Sequence, residues 1–189
     1  MAAGVGPMAV LAVTAVSLEE KKAPPREYAG SKKCRICHNA PSKGKMHDLW
    51  RKTLHAHAYK TLLSDEAKEA AKKSGISDPQ KSGECLRCHA TAYGFTKKLV
   101  TKKVKVEEGV GCESCHGPAK DYSNLTIMKN REKAIAAGMI YPAKNTCTKC
   151  HNTESSTWNP ERYTDKEGNK VGFDYEVLWE MIKHSIPKK

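Results

Sequence analysis

Apolar residues recur at helical spacings along much of this chain and seldom alternate as a strand would require. Between Lys45 and Leu63 they are Met46, Leu49, Trp50, Leu54, Ala58 and Leu62, which predicts one amphipathic helix over that stretch. A shorter helix is expected after Ser64, a good N-cap, stopping near Gly75. Leu125–Ala137 carries a third helical pattern that ends at Gly138, and Tyr175–His184 a fourth, capped by Asp174. Only Leu99–Val106 alternates valine and lysine in part, as a short exposed strand or hairpin would. Asn152–Gly172 is rich in turn residues and reads as loop. The expected class is mainly α, with long loops and little sheet.

One run is apolar without periodicity. Met8–Val16 forms an uncharged core within a segment that has no charge from Met1 to Leu18. It reads either as a signal peptide, with Val13-Thr14-Ala15 as cleavage site, or as a retained apolar arm. Glu19–Gly30, with Lys21, Lys22, Pro24 and Pro25, reads as a linker. The chain thus divides into residues 1–29, apolar segment and linker, and a single domain over 30–189. Membrane contact is expected only through the N-terminal segment, if it is retained.

Composition limits what this pattern can build. Of 189 residues only 6% are aromatic while 29% are charged, so the polypeptide alone can assemble only a modest core. The formal charge is +12, but the lysines are scattered and no nucleic-acid-binding motif accompanies them. Nucleic acid is not an expected partner.

The cysteines change the picture. Four copies of Cys-x-x-Cys-His occur: Cys34, Cys37 and His38; Cys85, Cys88 and His89; Cys112, Cys115 and His116; Cys147, Cys150 and His151. They use all eight cysteines and half of the eight histidines. Disulfides or two four-cysteine zinc sites would explain the cysteines but not the histidine after every pair. The pattern is that of covalent c-type haem attachment. Two thiols on one turn add to the two vinyl groups of a haem, and the following imidazole reaches the iron as proximal ligand.

Four covalently bound haem c groups would then form the core, with the polypeptide as a shell around them. With propionates ionised, a ferric haem brings −1 and a ferrous haem −2, so the holoprotein is expected near about +8 oxidised and about +4 reduced. Such a surface suits acidic redox partner proteins. Attachment of this kind follows export, so an extracytoplasmic location (periplasm, cell surface or extracellular) is expected.

Four histidines remain: His47, His55, His57 and His184. Four spare imidazoles for four irons make each a distal-ligand candidate. His55 and His57 lie two apart, on nearly opposite faces of the expected helix. Two imidazoles give low-spin iron of low potential suited to electron transfer, and a methionine such as Met128 would raise it.

The chain resembles the tetrahaem cytochrome c-554 family of ammonia-oxidising bacteria. The resemblance rests on "GVGCESCHGP", on the Trp50, Thr53, Leu54, His55, Ala56 stretch, on "CLRCHATAYGF" and on "FDYEVLWEMIKH". It implies that His55 is the distal ligand of the fourth haem and His184 of the third, and that the second haem, held by Cys85, Cys88 and His89, has an open iron face. The chain departs from the family where a distal histidine for the first haem is expected, for here it reads Asn124, Leu125, Thr126, Ile127 and Met128. His47 and His57 have no family counterpart. They complete the first and second haems, or Met128 takes the first, or one of them reaches a haem in a neighbouring subunit. Three functions follow. The first is electron transfer by a tetrahaem carrier that is no enzyme. The second is a homopolymeric extracellular cytochrome filament with cross-subunit ligation. The third is a small nitrogen-oxide reductase with an open iron.

Overall fold

A computed structural model describes Met1, residues 25–93 and residues 102–184. The calls on Met8–Val16 and on Leu99–Thr101 lie outside the described residues. Short helices account for most of the regular structure. They are α1 (Ser31–His38), α2 (Met46–Trp50), α3 (Ala58–Thr61), α4 (Asp65–Lys73), α5 (Gly83–His89), α6 (Cys112–His116), α7 (Leu125–Met128), α8 (Arg131–Ala136), α9 (Lys144–Cys147) and α10 (Tyr175–Ile182). The only sheet among the described residues is an antiparallel pair, β1 (Tyr163–Thr164) and β2 (Lys170–Val171), with Tyr163 opposite Val171. The mainly α class is therefore observed.

Where an expected helix is intact, a local cap explains it. Ser64 accepts from the Ala67 amide at 3.2 Å and opens α4, and Asp174 accepts from Val177 at 2.9 Å and opens α10. Elsewhere the expected helices are divided. The helix expected over Lys45–Leu63 is broken into α2, a 3-10 turn (Leu54–His57) and α3. Thr53 is extended there, and its hydroxyl donates to the Trp50 carbonyl at 2.7 Å, closing α2 before the turn begins. Leu125–Ala137 is likewise two helices. Asn124 caps α7, while the Asn130 side chain accepts from Lys133 at 2.9 Å and opens α8. The described part of Leu99–Val106 is turn and irregular backbone leading into a 3-10 turn (Val106–Glu108), not a strand. Within the expected loop 152–172, Asp165 accepts from the Asn169 amide at 2.7 Å and closes the β1–β2 hairpin.

The protein core is thin. One cluster joins Ala29, Ala119, Tyr122 and Ala134, with Ile127, Met128, Ala137 and Met139 against it. A second joins Leu62, Leu86 and Ala90. No large side chain is fully buried among the described residues, yet Ile36 is 76% and Leu54 77% exposed. That imbalance is the reverse of what burial of apolar surface favours in a chain folded on itself.

The first cluster is tied together by a buried charge-bearing residue. Glu113, 2% exposed, sits between Cys112 and Cys115. One of its oxygens accepts from the Ala29 amide at 2.8 Å and the Ala119 amide at 2.7 Å, and the other accepts from Gly30 at 2.8 Å. Tyr122 donates its hydroxyl to the Gly117 carbonyl at 2.8 Å. Burial first, and Glu113 second, push the Tyr28 phenol up to about 12. The segment that enters α1 is therefore pinned to the segment around α6.

Candidate haem sites

Each Cys-x-x-Cys-His motif lies on one helical turn or at its end. α1 ends at His38, α5 ends at His89, and α6 consists of Cys112–His116. The fourth motif begins at the last residue of α9 and continues that turn, with the His151 amide donating to the Cys147 carbonyl at 3.0 Å. Helical spacing stacks the two thiols one turn apart on one side, as addition to a single haem requires. All eight cysteines are free, and among the described residues no three His, Cys, Asp or Glu side chains converge as a metal cage. Among the described residues no disulfide is formed and no zinc cage is assembled.

Thiols of different motifs meet. Cys34 lies beside Cys112, and Cys88 beside Cys150, close enough for each thiol to perturb its partner. Burial, with the neighbouring Cys147 thiol second, pushes Cys115 up to about 11. Arg87 of the second motif forms an ion pair of 3.5 Å with Glu154, three residues beyond the fourth. The attachment points therefore adjoin in the order first, third, fourth, second, which is not their order in the chain.

Two motif histidines, His89 and His116, are oriented for a metal at Nε2. His89 Nδ1 lies 2.7 Å from the Ala58 carbonyl and His116 Nδ1 3.2 Å from the Ile140 carbonyl. His38 Nδ1 lies 3.3 Å from Met46 Sδ. An Nδ1–H donated to a backbone carbonyl leaves the lone pair on Nε2. Burial lowers the pKa of His38, His116 and His151 and keeps each ring neutral, the form that binds iron.

Two of the four remaining histidines face a motif histidine. The His55 and His151 ring centres are 6.0 Å apart, and those of His116 and His184 are 5.9 Å apart. Rings bonded to one metal from opposite sides through nitrogen, at about 2 Å per bond, have centres about 6 Å apart. The paired rings thus leave the gap that an iron between them would need. Together with the thin core, the free thiols and the neutral imidazoles, this fits the residues to covalent haem. Phe173 packs against His151, with ring centres 5.8 Å apart.

His47 is buried against Trp50, with ring centres 5.2 Å apart, and its Nδ1 has no hydrogen-bond partner among the described residues. Burial first, then Arg35 and Arg51, lower its pKa. His57 is exposed at the end of the 3-10 turn. Met128 packs on the first cluster.

Two features have no counterpart in the sequence reading. Glu113 is one. The other is the strap Gly109–Val110–Gly111 that leads into the third motif. The Trp50 indole donates to the Val110 carbonyl at 2.9 Å, and the Val110 amide donates to the His55 carbonyl at 2.9 Å. The buried Thr91 hydroxyl donates to the Gly109 carbonyl at 2.9 Å and accepts from the Gly111 amide at 2.7 Å. The one available signal was "GVGCESCHGP" itself, whose glycines precede the motif.

Comparison with known proteins points to c-type haem as the cofactor. The family model described as cytochrome c554 and c-prime matches residues 33–117, which include the first three motifs. The cytochrome c-554 of Nitrosomonas europaea is 28% identical over 177 residues, covering 82% of this chain and 73% of that protein. No solved structure matches.

Proposed function

We propose that the chain is a tetrahaem electron carrier similar to the cytochrome c-554 family, a c-type cytochrome of electron transfer with covalently bound haem c. The carrying observation is that thiols of separate motifs neighbour one another in the order first, third, fourth, second. Each motif would hold its haem through its two cysteines and its histidine. The bound group supplies one-electron exchange between ferric and ferrous iron, and adjoining attachment points keep successive groups close.

In this reading His55 is the distal ligand at the fourth site and His184 at the third. The 6.0 Å and 5.9 Å ring separations from His151 and His116 support both assignments. His47 and His57 stand as candidates for the first and second sites. His47 is the stronger, because a buried imidazole nitrogen without a partner is costly and a metal bond would satisfy it. Covalent haem attachment follows export, which supports a location outside the cytoplasm. Among the described residues no helix is long and apolar enough to cross a membrane.

His55→Ala is expected to convert one low-spin haem to high-spin without loss of haem, and His184→Ala to do the same at a different haem. Electron paramagnetic resonance of the ferric holoproteins checks this. Unchanged spectra would remove both assignments and leave only the attachment chemistry.

Acidic redox proteins are the proposed partners. Since the holoprotein stays positive at about +8 oxidised and about +4 reduced, association is expected to weaken with salt, more steeply for the oxidised form. Affinities for an acidic redox protein measured in each state over a salt series give the two slopes, and equal or reversed slopes would count against charge-guided docking.

A further inference from the structure

We propose that Gly109 and Trp50 are positioning residues for the His55 ligand at the fourth haem site, acting through the strap that leads into the third motif. The proposal rests on the reading of His55 as a distal ligand.

Three observations converge on the turn that carries His55. The His55 carbonyl accepts from the Val110 amide at 2.9 Å, so the ligand's own backbone is bound to the strap. Trp50 grips the same residue, donating to the Val110 carbonyl at 2.9 Å. Gly109 makes the approach possible. Its φ is +64°, and a Cβ there would lie 2.6 Å from the His55 carbonyl oxygen, 3.1 Å from the Ala58 nitrogen and 3.2 Å from the Ala56 carbonyl oxygen. All three are backbone atoms, so no side chain can swing aside.

The consequence reaches beyond packing. The His55 ring lies 6.0 Å from the His151 ring, a separation with little tolerance if one metal is to bond both. Displacing the His55 backbone by even part of the clash at Gly109 would draw its imidazole out of reach. The same turn offers the Ala58 carbonyl to His89 Nδ1 at 2.7 Å. The strap of the third motif therefore aims the distal ligand of the fourth site and braces the motif histidine of the second. Seating of the third motif and ligation at the fourth are mechanically one event.

The test compares ferric spin state in holoproteins whose full haem complement has been verified by intact mass. Gly109→Ala is expected to add one high-spin haem relative to the unsubstituted protein, and added imidazole to restore the low-spin signal. Trp50→Phe removes the indole donor but keeps the ring, and is expected to add a partial high-spin signal with the same rescue. It carries the test alone if Gly109→Ala does not mature. A role in stability only would lower the denaturation midpoint without an imidazole-reversible spin change. His55→Ala is measured alongside. If it gains a high-spin haem while both strap variants stay low-spin, the strap proposal is overturned and the His55 assignment stands. If His55→Ala itself stays low-spin, the assignment fails first and the strap proposal falls with it.

Discussion

Glu113→Ala is expected to cost the holoprotein roughly 3 kcal/mol or more, the sum of leaving three buried backbone donors unsatisfied at about 1–3 kcal/mol each. The donors are the amides of Ala29, Gly30 and Ala119, all buried and all within 2.8 Å of the carboxylate oxygens. Small domains are stable by about 5–15 kcal/mol, so a loss of this size removes a large share of the total. Few single surface changes approach it. The damage should also be specific in place. Ala29 and Gly30 lead directly into α1 and the first motif, while Ala119 follows the third, so the entry to α1 should detach from the segment around α6.

Glu113→Gln separates the hydrogen bonds from the residue's bulk. Its amide oxygen can still accept from Ala29 and Ala119, but its NH2 group would face the Gly30 donor, so an intermediate loss is expected. Denaturant midpoints of the holoproteins, compared at equal haem content, measure both. An alanine variant within about 1 kcal/mol of the unsubstituted protein would show that water or a local shift replaces the carboxylate.

What the sequence disclosed follows the range of the interactions involved. Ser64 and Asp174 were readable as caps because a cap bonds an amide three residues away. Asn130 is the same kind of signal, and the helical spacing that runs across it from Leu125 to Ala137 obscured it. The break after Trp50 was not readable. Met46, Leu49, Leu54 and Ala58 keep a helical period through it, while the indole answers to Val110, 60 residues away. The attachment motifs were fully legible, being contiguous pentapeptides whose chemistry needs each member. Their spatial order was not, since Cys34 meets Cys112 and Cys88 meets Cys150 across long stretches of chain. Glu113 reads as a spacer within its motif, because the backbone donors that give it a role lie as far as 84 residues away.

The largest effect is expected from removing the haems altogether. In a chain with all eight cysteines replaced by alanine, no cooperative unfolding transition should remain, whereas the holoprotein should unfold cooperatively and weigh four haems more than its polypeptide. The argument is one of apolar area. The buried hydrophobic residues among those described are six alanines, two leucines and two tyrosines. A fully buried leucine contributes about 1.5–3 kcal/mol, and an alanine much less. Ordering the backbone costs about 1–2 kcal/mol for every residue fixed. Helices of four to nine residues cannot close that gap, since isolated helices shorter than about 12–15 residues are marginal in water. Four flat apolar groups held against Ile36, Leu54 and their neighbours would supply the missing contact area, and covalent attachment would keep it in place. Far-UV circular dichroism during heating distinguishes the cases. A sharp transition in the cysteine-free chain at the helix content of the holoprotein would show a self-sufficient polypeptide core and sink the haem-centred account of this fold.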